Sequence, residues 1–387
     1  MAPVQRPPIR QEQRQQRRTK DLRRTPRRGL SPRDGVPPSS LRAPSKWERR
    51  RSLLPMVLSV LLIAALGGGA AGTSQRRRLT MAPAPVSQPA SKAPALTMIP
   101  VPHQGPDLWQ GGPAPGELVS SAAFLMRVED GAAVYTKEPN RTVYPASLTK
   151  MMTVLVALEQ LEDLDQVVQL PPELYPPLQQ QSAALSGLLP GERVGLRHLL
   201  YGAILPSGAE SCEMLAMQVA GSSQAFVELM NQKAQELGMS YTHFTNTTGL
   251  HDDMQYTSVR DMAQLLRYAL GREDFRQVFT TFSHTIPPTN LHDQGLTLRS
   301  NLSNSLGGVY TFDGGVFLGG KTGYTPEAGL CLASLARVQE EEFILVTVGA
   351  PGSSRSGSGY LRDARLLYQQ LGKSLGVTPL PPVQQRS

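Results

Sequence analysis

Two short segments contain side chains that could carry chemistry, and the first of them could form a nucleophile with its base. The segment PASLTK places Ser147 three residues before Lys150. Positions three apart lie on the same face of a helix, so the lysine amine can reach the serine hydroxyl. Such a pair becomes a nucleophile and its base when the surroundings hold the lysine neutral. An ordinary helix N-cap serine followed by a solvated lysine has the same spacing, so this segment alone does not decide the chemistry.

The second segment is Lys321-Thr322-Gly323, a cation and a hydroxyl before a pattern typical of a strand. Residues 315–322 also match the phosphate-binding pattern GxxxxGK[ST]. That loop has to open a helix directly after its Ser/Thr. Here a glycine, Tyr324 and Pro326 follow within four residues, and the alternating pattern after them predicts a strand. An ATP site is therefore disfavoured.

Two further segments have turn-forming residues. Ser207, in Pro-Ser-Gly, lies between two helical patterns, where a loop can present its hydroxyl to a cleft. A serine that only completes a turn has the same sequence. The segment 246–250 (NTTGL) is interpreted as a structural turn.

The elements that must position these residues are predicted between 118 and 376. Pro145 precedes a helical pattern with Leu148, Met151, Leu155 and Leu158 on one face. Strands at both ends of this region with helices between them indicate an α+β fold, in which an antiparallel sheet joins the two extremes. The other predicted elements are a hairpin of 121–128 with 132–136, helices 196–202, 210–220, 224–237, 259–270 and 360–371, and strands 329–336 and 343–349.

The positive charge is concentrated before this region. The chain has 387 residues and a net charge of +8, but residues 1–51 hold 16 Lys/Arg against four Asp/Glu, a local charge of +12. Residues 76–78 add three arginines, and residues 79–387 carry −7. A nucleic-acid partner is therefore not expected. Two cysteines and six scattered histidines without an HExxH pattern give no indication of a metal site.

The uneven charge instead predicts a membrane orientation. Residues 1–51 are predicted to be a disordered basic tail, and 52–72 form an apolar stretch long enough to span a bilayer. Basic residues concentrated before this stretch place the tail in the cytoplasm and the rest of the chain outside. An uncleaved anchor is favoured over a cleaved signal peptide, which would release a secreted protein. Residues 73–117 are predicted to be a Pro-rich linker, and 377–387 a disordered tail.

The order of the segments, an SxxK serine, a loop serine and KTG, is the set found in penicillin-binding proteins and β-lactamases. The chain from about 118 to 372 resembles low-molecular-mass penicillin-binding proteins of the D-alanyl-D-alanine carboxypeptidase type. The resemblance implies a transpeptidase-like α+β fold, an antiparallel sheet flanked by helices plus an all-helical lobe, with 118–376 as the serine D,D-carboxypeptidase domain. The segments that carry it are YPASLTKMMT, LRHLLYGAILPSG, FVELMNQKAQELGM, FTNTTGL, TSVRDMA and GGKTGYTPEAG.

The resemblance also implies a role for each site residue. Ser147 would be the acylated nucleophile, Lys150 its general base and Ser207 a proton relay to the departing D-alanine. The substrate would be a peptidoglycan stem peptide ending in D-Ala-D-Ala, β-lactams would be covalent inhibitors, and neither a metal nor an organic cofactor is required. Lys321, Thr322 and Gly323 would bind the terminal carboxylate, and the backbone N–H groups of Ser147 and Tyr324 would form the oxyanion hole.

The sequence departs from the family pattern at Ala209 and Gln255, and two alternative functions stay open. Ala209 stands where the family usually has the asparagine of Ser-x-Asn, which puts rate and specificity in doubt and leaves a catalytically attenuated cell-wall binding protein as an alternative. Gln255 stands where many relatives have histidine, and it is interpreted as a structural change. A serine β-lactamase is the other alternative, although no ExxLN pattern occurs between Ser207 and Lys321.

Overall fold

The computed structural model describes residues 112–114, 116–353 and 358–376. The predicted tail 1–51, apolar stretch 52–72 and C-terminal tail 377–387 lie outside the described residues, as does most of the predicted linker 73–117. Within the part of the chain that the structure describes, no helix is both long enough and apolar enough to cross a membrane.

Strands and helices alternate in the described region. Its strands are β1 Ala122–Arg127, β2 Ala133–Lys137, β3 Val167–Gln169, β4 Arg193–Gly195, β5 Ser283–Ile286, β6 Leu296–Arg299, β7 Thr311–Phe312, β8 Gly315–Thr325, β9 Gly329–Val338 and β10 Glu341–Ala350. Its α-helices are α1 Lys150–Gln160, α2 Tyr175–Gln180, α3 Leu196–Ile204, α4 Ala209–Ala220, α5 Ser223–Glu236, α6 Val259–Leu270, α7 Glu273–Phe279, α8 Asn301–Leu306 and α9 Gly359–Ser374.

Six strands form one antiparallel sheet in the order β2-β1-β10-β9-β8-β7. β1 pairs with β10 in register Ala122 to Val348, so the predicted sheet between the two ends of the domain is confirmed. Alternate residues of β1 enter two different cores: Phe124 packs with the helices that follow it, and Leu125 packs with α9. Because both faces are covered, β9 and β10 are apolar almost throughout.

Helices α1 and α3 to α5 form the helical lobe on one face of the sheet. The helix α1 is buried at every position from Lys150 to Leu158, so it is the central helix of this lobe. Two ribbons, β3–β4 and β5–β6, are added to this part of the molecule. The sequence does not predict these short strands, because three or four residues give too brief an alternation to be recognised.

Most predicted boundaries agree with the structure within a few residues, and α6 is identical to its prediction. One strand was missed. Lys321-Thr322-Gly323 precede the predicted strand 329–336, which is β9, but they also lie inside an unpredicted strand, β8, which runs from Gly315 to Thr325. Its glycines hid the strand: a Cβ at Gly319 would lie 2.3 Å from the carbonyl oxygen of Phe279, so close packing has removed the side chains that identify strands.

The start of the domain is fixed to its last helix by a buried carboxylate. Asp363 of α9 accepts hydrogen bonds from the backbone N–H groups of Val119, at 3.1 Å, and Ser120, at 2.7 Å. Its side chain is fully buried. Asp363 thus holds the residues that lead into β1 against the C-terminal helix.

Replacing Asp363 by alanine is expected to lower the free energy of unfolding by about 2–4 kcal/mol, because two buried N–H groups lose a charged acceptor. Urea-induced unfolding monitored by circular dichroism measures the loss. The control is Asp293→Ala, at an exposed aspartate, which should change stability by less than about 0.5 kcal/mol. Equal unfolding midpoints for the two variants would contradict the assignment.

Candidate active site

Ser147 and Lys150 lie at the start of the central helix. Residues Ala146–Thr149 form a 3₁₀ turn that continues directly into α1. This turn places the Lys150 Nζ 3.1 Å from the Ser147 Oγ, and the amine also donates to the carbonyl oxygen of Thr248 at 2.5 Å. The predicted meeting of serine and lysine is therefore present in the structure.

The surroundings of Lys150 disfavour its charged form. Its side chain is only 2 % exposed. Burial lowers the pKa of Lys150, and the neighbouring carboxyl groups of Glu210 and Glu213 oppose that shift without reversing it. A neutral amine can accept the hydroxyl proton of Ser147, which is what a general base must do.

A second serine–lysine pair lies on the other side of the same cleft. Ser207 is in the connection between α3 and α4 with φ +71°, a left-handed conformation unusual for serine. The Lys321 Nζ donates to the Ser207 Oγ at 2.9 Å and to the carbonyl oxygen of Thr322 at 2.8 Å. Burial lowers the pKa of Lys321 well below its ordinary value, and the nearby Lys150 adds to this effect.

Both pairs are at a cleft of about 810 Å³. Lys321 does not line this cleft, since it is only 1 % exposed, and it contacts the site through its hydrogen bond to Ser207. The predicted site residues that do line it are Ser147, Lys150, Ser207, Thr322, Gly323 and Tyr324. Residues separated by up to 177 positions in the chain are thus brought to one site.

Strand β8 forms one wall of the cleft with an open edge. β7 pairs with Gly315 and Val316, and the Phe317 N–H donates to the Tyr310 carbonyl oxygen; beyond Phe317, strand pairing of β8 among the described residues is with β9 alone. At Gly323 the strand comes so close to the nucleophile that a Cβ would lie 3.1 Å from the Ser147 backbone nitrogen. This part of β8 therefore passes close to the backbone of Ser147, and the oxyanion hole formed by the N–H groups of Ser147 and Tyr324 stays a prediction.

Non-glycine residues with strained backbones are concentrated here. The described residues include five with positive φ, and three of these are Ala146 (+45°), Ser182 (+53°) and Ser207. Ala146 immediately precedes the nucleophile, and the other two line the cleft. Such conformations cost free energy and persist only where the surrounding structure enforces them, which is typical of functional sites.

Comparison with known proteins agrees with this geometry. Residues 110–352 match the S11 peptidase family, D-alanyl-D-alanine carboxypeptidase. The chain belongs to this family. The resemblance inferred from YPASLTKMMT, the loop serine and KTG is thereby confirmed.

Individual relatives give the extent of the similarity. The D-alanyl-D-alanine carboxypeptidase DacF of Bacillus subtilis is 31% identical over 247 residues, which are 62% of this chain and 60% of the relative. The D-alanyl-D-alanine endopeptidase of Pseudomonas aeruginosa is 30% identical over 68% of this chain and 79% of its own length. The crystal structure of the Streptomyces K15 DD-transpeptidase superposes with a TM-score of 0.59 at 26% identity, over 66% of this chain and 98% of that one. The predicted transpeptidase-like α+β fold is confirmed.

The S11 pattern is incomplete at Ala209, at the start of α4. Ala209 is buried, lines the cleft and donates its backbone N–H to the carbonyl oxygen of Ala184 at 2.8 Å. A methyl group offers no hydrogen bond to a lysine or to a substrate amide. Within the described residues, the Lys150 amine therefore has only the Ser147 hydroxyl and the Thr248 carbonyl as hydrogen-bond partners.

The NTTGL segment has a larger role than its sequence predicts. It is a structural turn, as predicted, but its Thr248 carbonyl also accepts a hydrogen bond from the Lys150 amine. Inside the turn, the Asn246 side chain accepts the N–H groups of Thr248 and Gly249. Gln255 braces it from outside by accepting the N–H groups of Thr245 and Asn246, in keeping with the structural interpretation of this residue. A backbone carbonyl leaves no side-chain signal, so the sequence could not reveal this contact.

Gly249 is the point at which this turn packs against the nucleophile. Its φ is +78°, and a Cβ there would lie 1.8 Å from the Ala146 carbonyl oxygen and 3.0 Å from the Ser147 nitrogen. Gly249→Ala is therefore expected to displace Ser147 and to destabilise the fold by at least about 2 kcal/mol more than backbone strain alone.

The matched control is Gly221→Ala. Gly221 has nearly the same φ, +75°, and a Cβ there would meet no atom of a neighbouring segment within 4 Å. This substitution should cost only the left-handed strain, about 1 kcal/mol. Thermal unfolding of both variants separates the steric clash from the strain, and similar melting temperatures would show that the turn does not press on Ser147.

Proposed function

We propose that this protein is a serine D,D-carboxypeptidase that removes the terminal D-Ala from peptidoglycan stem peptides through an acyl-enzyme on Ser147. The observation that carries the proposal is the pairing of two hydroxyls with two buried amines, Ser147 with Lys150 and Ser207 with Lys321, at one cleft. Membership of the S11 family and relatives named D-alanyl-D-alanine carboxypeptidase support it.

Acylation begins at the Ser147 hydroxyl. Its Oγ attacks the carbonyl carbon of the D-Ala-D-Ala amide while its proton passes to the neutral Lys150 amine. The negative charge that develops on the carbonyl oxygen is held by the backbone N–H groups of Ser147 and Tyr324, donors that need no reorientation during the reaction.

Proton transfer completes both halves of the cycle. When the C–N bond breaks, Ser207 gives its proton to the leaving nitrogen and regains one from the Lys150 ammonium, so D-Ala departs as an amine and Lys150 is neutral again. Lys321 keeps the Ser207 hydroxyl in place through its hydrogen bond at 2.9 Å. A water molecule then attacks the ester, Lys150 takes its proton, and return of that proton to Ser147 restores the enzyme.

Recognition of the peptide combines charge and strand pairing. The open edge of β8 offers backbone groups to which an extended peptide can bind as an added strand. The Thr322 hydroxyl lines the cleft and donates to the terminal carboxylate, while the buried Lys321 supplies positive charge. Since a bound carboxylate favours the ammonium form, substrate binding raises the pKa of Lys321 from its low value in the free enzyme.

The tethering predicted from the sequence completes this proposal. Residues 52–72 would anchor the chain in the cell membrane, with the basic tail in the cytoplasm and the catalytic domain outside, where peptidoglycan lies. The Pro-rich linker 73–117 would hold the domain away from the bilayer. The charge distribution of the sequence supports the orientation.

The purified chain is expected to bind a fluorescent penicillin covalently, because the Ser147 hydroxyl is paired with a buried amine. Denaturing gel electrophoresis with in-gel fluorescence measures the label. Ser147→Ala should abolish the label. The control is Ser303→Ala: Ser303 lies in α8, its hydroxyl is hydrogen-bonded to that of Tyr310, and this variant should retain the label. An unlabelled, folded wild-type protein would exclude the acyl-enzyme.

Incubation with a pentapeptide ending in D-Ala-D-Ala separates the alternatives that penicillin labelling leaves open. Release of free D-Ala identifies a carboxypeptidase. Peptide binding without release would favour the attenuated cell-wall binding protein, and rapid hydrolysis of penicillin would favour a β-lactamase. Transfer of the acyl group to an added amine would indicate the transpeptidase outcome.

The rate of penicillin acylation is expected to rise with pH through the pKa of Lys150. Burial lowers that pKa from its ordinary value of 10.5, so the amine is neutral above the lowered pKa and protonated below it. The midpoint of the rise should therefore lie below the ordinary value of 10.5. Stopped-flow acylation across the pH range measures it.

Lys150→Arg tests the same base. Because a guanidinium stays charged, this variant should acylate about 10² to 10⁴ times more slowly. Lys373→Arg, at an exposed lysine of α9, is the control and should retain the wild-type profile. A wild-type midpoint near 10.5 would show that Lys150 is not the base.

A further inference from the structure

Glu210 is a fully buried carboxylate beside the cleft that the mechanism above does not use. It follows Ala209 in the first turn of α4 and is 0 % exposed. Its Oε1 accepts two hydrogen bonds from Ser186, from the backbone N–H at 2.6 Å and from the hydroxyl at 2.5 Å. Its Oε2 has no hydrogen-bond partner within the described residues. A buried carboxyl group with an unpartnered oxygen is costly, so its presence beside the cleft needs a reason.

The first consequence of these contacts is mechanical. Residues 182–186, named here the wall segment, border the cleft through Ser182, Ala183 and Ala184. The wall segment is packed tightly against the turn that presents Ser207, since a Cβ at Gly208 would lie 2.7 Å from the Cβ of Ser186. The two hydrogen bonds from Ser186 to Glu210 fix the C-terminal end of the wall segment.

The second consequence is electrostatic. The groups that act on Lys150 are Cys212 and Glu213 of α4, the Thr248 carbonyl, Ser147 and, from β8, Lys321. The Cys212 thiol is neutral, because burial raises its pKa to about 12. The Glu213 carboxylate already accepts hydrogen bonds from Thr247 and Ser223 on separate oxygens.

Glu210 therefore differs from the other acidic neighbours of Lys150. Burial raises the pKa of Glu210, while the two bonds from Ser186 and the attraction of Lys150 oppose that rise. In return, the carboxylate raises the pKa of Lys150 against the effect of burial. Two buried lysines thus share a site with a buried carboxylate that retains one oxygen without a partner among the described residues.

We propose that Glu210 is a positioning residue of this active site, which fixes the wall segment through Ser186 and acts on the base Lys150 through its buried negative charge. It touches neither substrate nor the reacting atoms. The inference rests on the proposed function, since it concerns the base of that reaction. The charge matters because a base whose pKa falls too far is neutral but weak, whereas one whose pKa stays high is protonated at working pH.

The variant Glu210→Gln separates the two effects, because it removes the charge but keeps a carbonyl oxygen to accept both bonds from Ser186. Loss of a negative charge lowers the pKa of Lys150, so the acid limb of kcat/KM for D-Ala release should move to lower pH by about 0.5 to 1 unit. KM for the pentapeptide should stay within about two-fold of wild type, because the wall segment remains attached.

Glu210→Asp makes the opposite change. It keeps the charge but is one methylene shorter, so it cannot reach both donors of Ser186. The acid limb should stay near its wild-type position, while KM should rise by about five-fold or more as the wall segment loosens. A merely structural role would lower activity in both variants without this division between pH profile and KM.

Glu192→Gln is the matched control. Glu192 is also 0 % exposed and accepts a backbone N–H, from Leu189 at 2.7 Å, and a hydroxyl, from Thr289 at 2.6 Å, and its Oε1 additionally lies 2.8 Å from the His292 Nδ1. It is not among the groups that act on Lys150. Removing this buried charge should leave the acid limb in place, and an equal shift in Glu192→Gln and Glu210→Gln would overturn the proposal.

The remaining outcomes are equally decisive. The role of the charge would be refuted if the wild-type enzyme is active and Glu210→Gln has a wild-type melting temperature but an acid limb at the wild-type pH. If Glu210→Gln fails to fold, Ser186→Ala provides the second test: it keeps the carboxylate, so KM should rise, and an unchanged KM would refute the attachment. A wild-type chain that releases no D-Ala refutes the proposed function instead, so the two failures are distinguishable.

Discussion

Burial of the Lys150 amine is the constraint on which the rest of this site depends. An exposed lysine beside a serine would be charged and could not accept its proton. Here the amine has the Ser147 hydroxyl and the Thr248 carbonyl as its hydrogen-bond partners among the described residues, and burial lowers its pKa. The helix that carries it is enclosed on all sides, so the position of Lys150 in the protein interior follows from the packing of the helical lobe on the sheet.

Strand β8 and the turn at Gly249 pack closely against the backbone that carries Ser147. Gly323 and Gly249 have no side chains because the backbone at Ser147 occupies the space where a Cβ would lie. The left-handed backbones of Ala146 and Ser207 are part of the same close approach. Packing of the surrounding sheet and helices offsets the strain at these residues. The candidate active site therefore lies where the helical lobe meets strand β8 of the sheet.

Charge inside the cleft is arranged with few compensating groups. Two lysines with lowered pKa values lie close enough to affect each other, and Ala209, which lines the cleft, contributes no polar side-chain atom. Glu210 is buried next to that alanine and braces the neighbouring wall through Ser186. In the proposed mechanism, the acidic groups around the cleft affect the protonation of Lys150, and the anionic end of a peptide would complete the site.

The sequence by itself determined the fold class, the long helices and the meeting of Ser147 with Lys150, because periodicity of apolar residues and the i, i+3 spacing are local properties of the chain. It could not place KTG within β8, where close packing had replaced recognisable strand residues by glycine. Nor could it show that a backbone carbonyl at Thr248 holds Lys150, or that Glu210 is buried against Ser186. Only the tertiary structure decided these contacts, because pKa values and hydrogen bonds between distant segments depend on burial and distance, which no local pattern encodes.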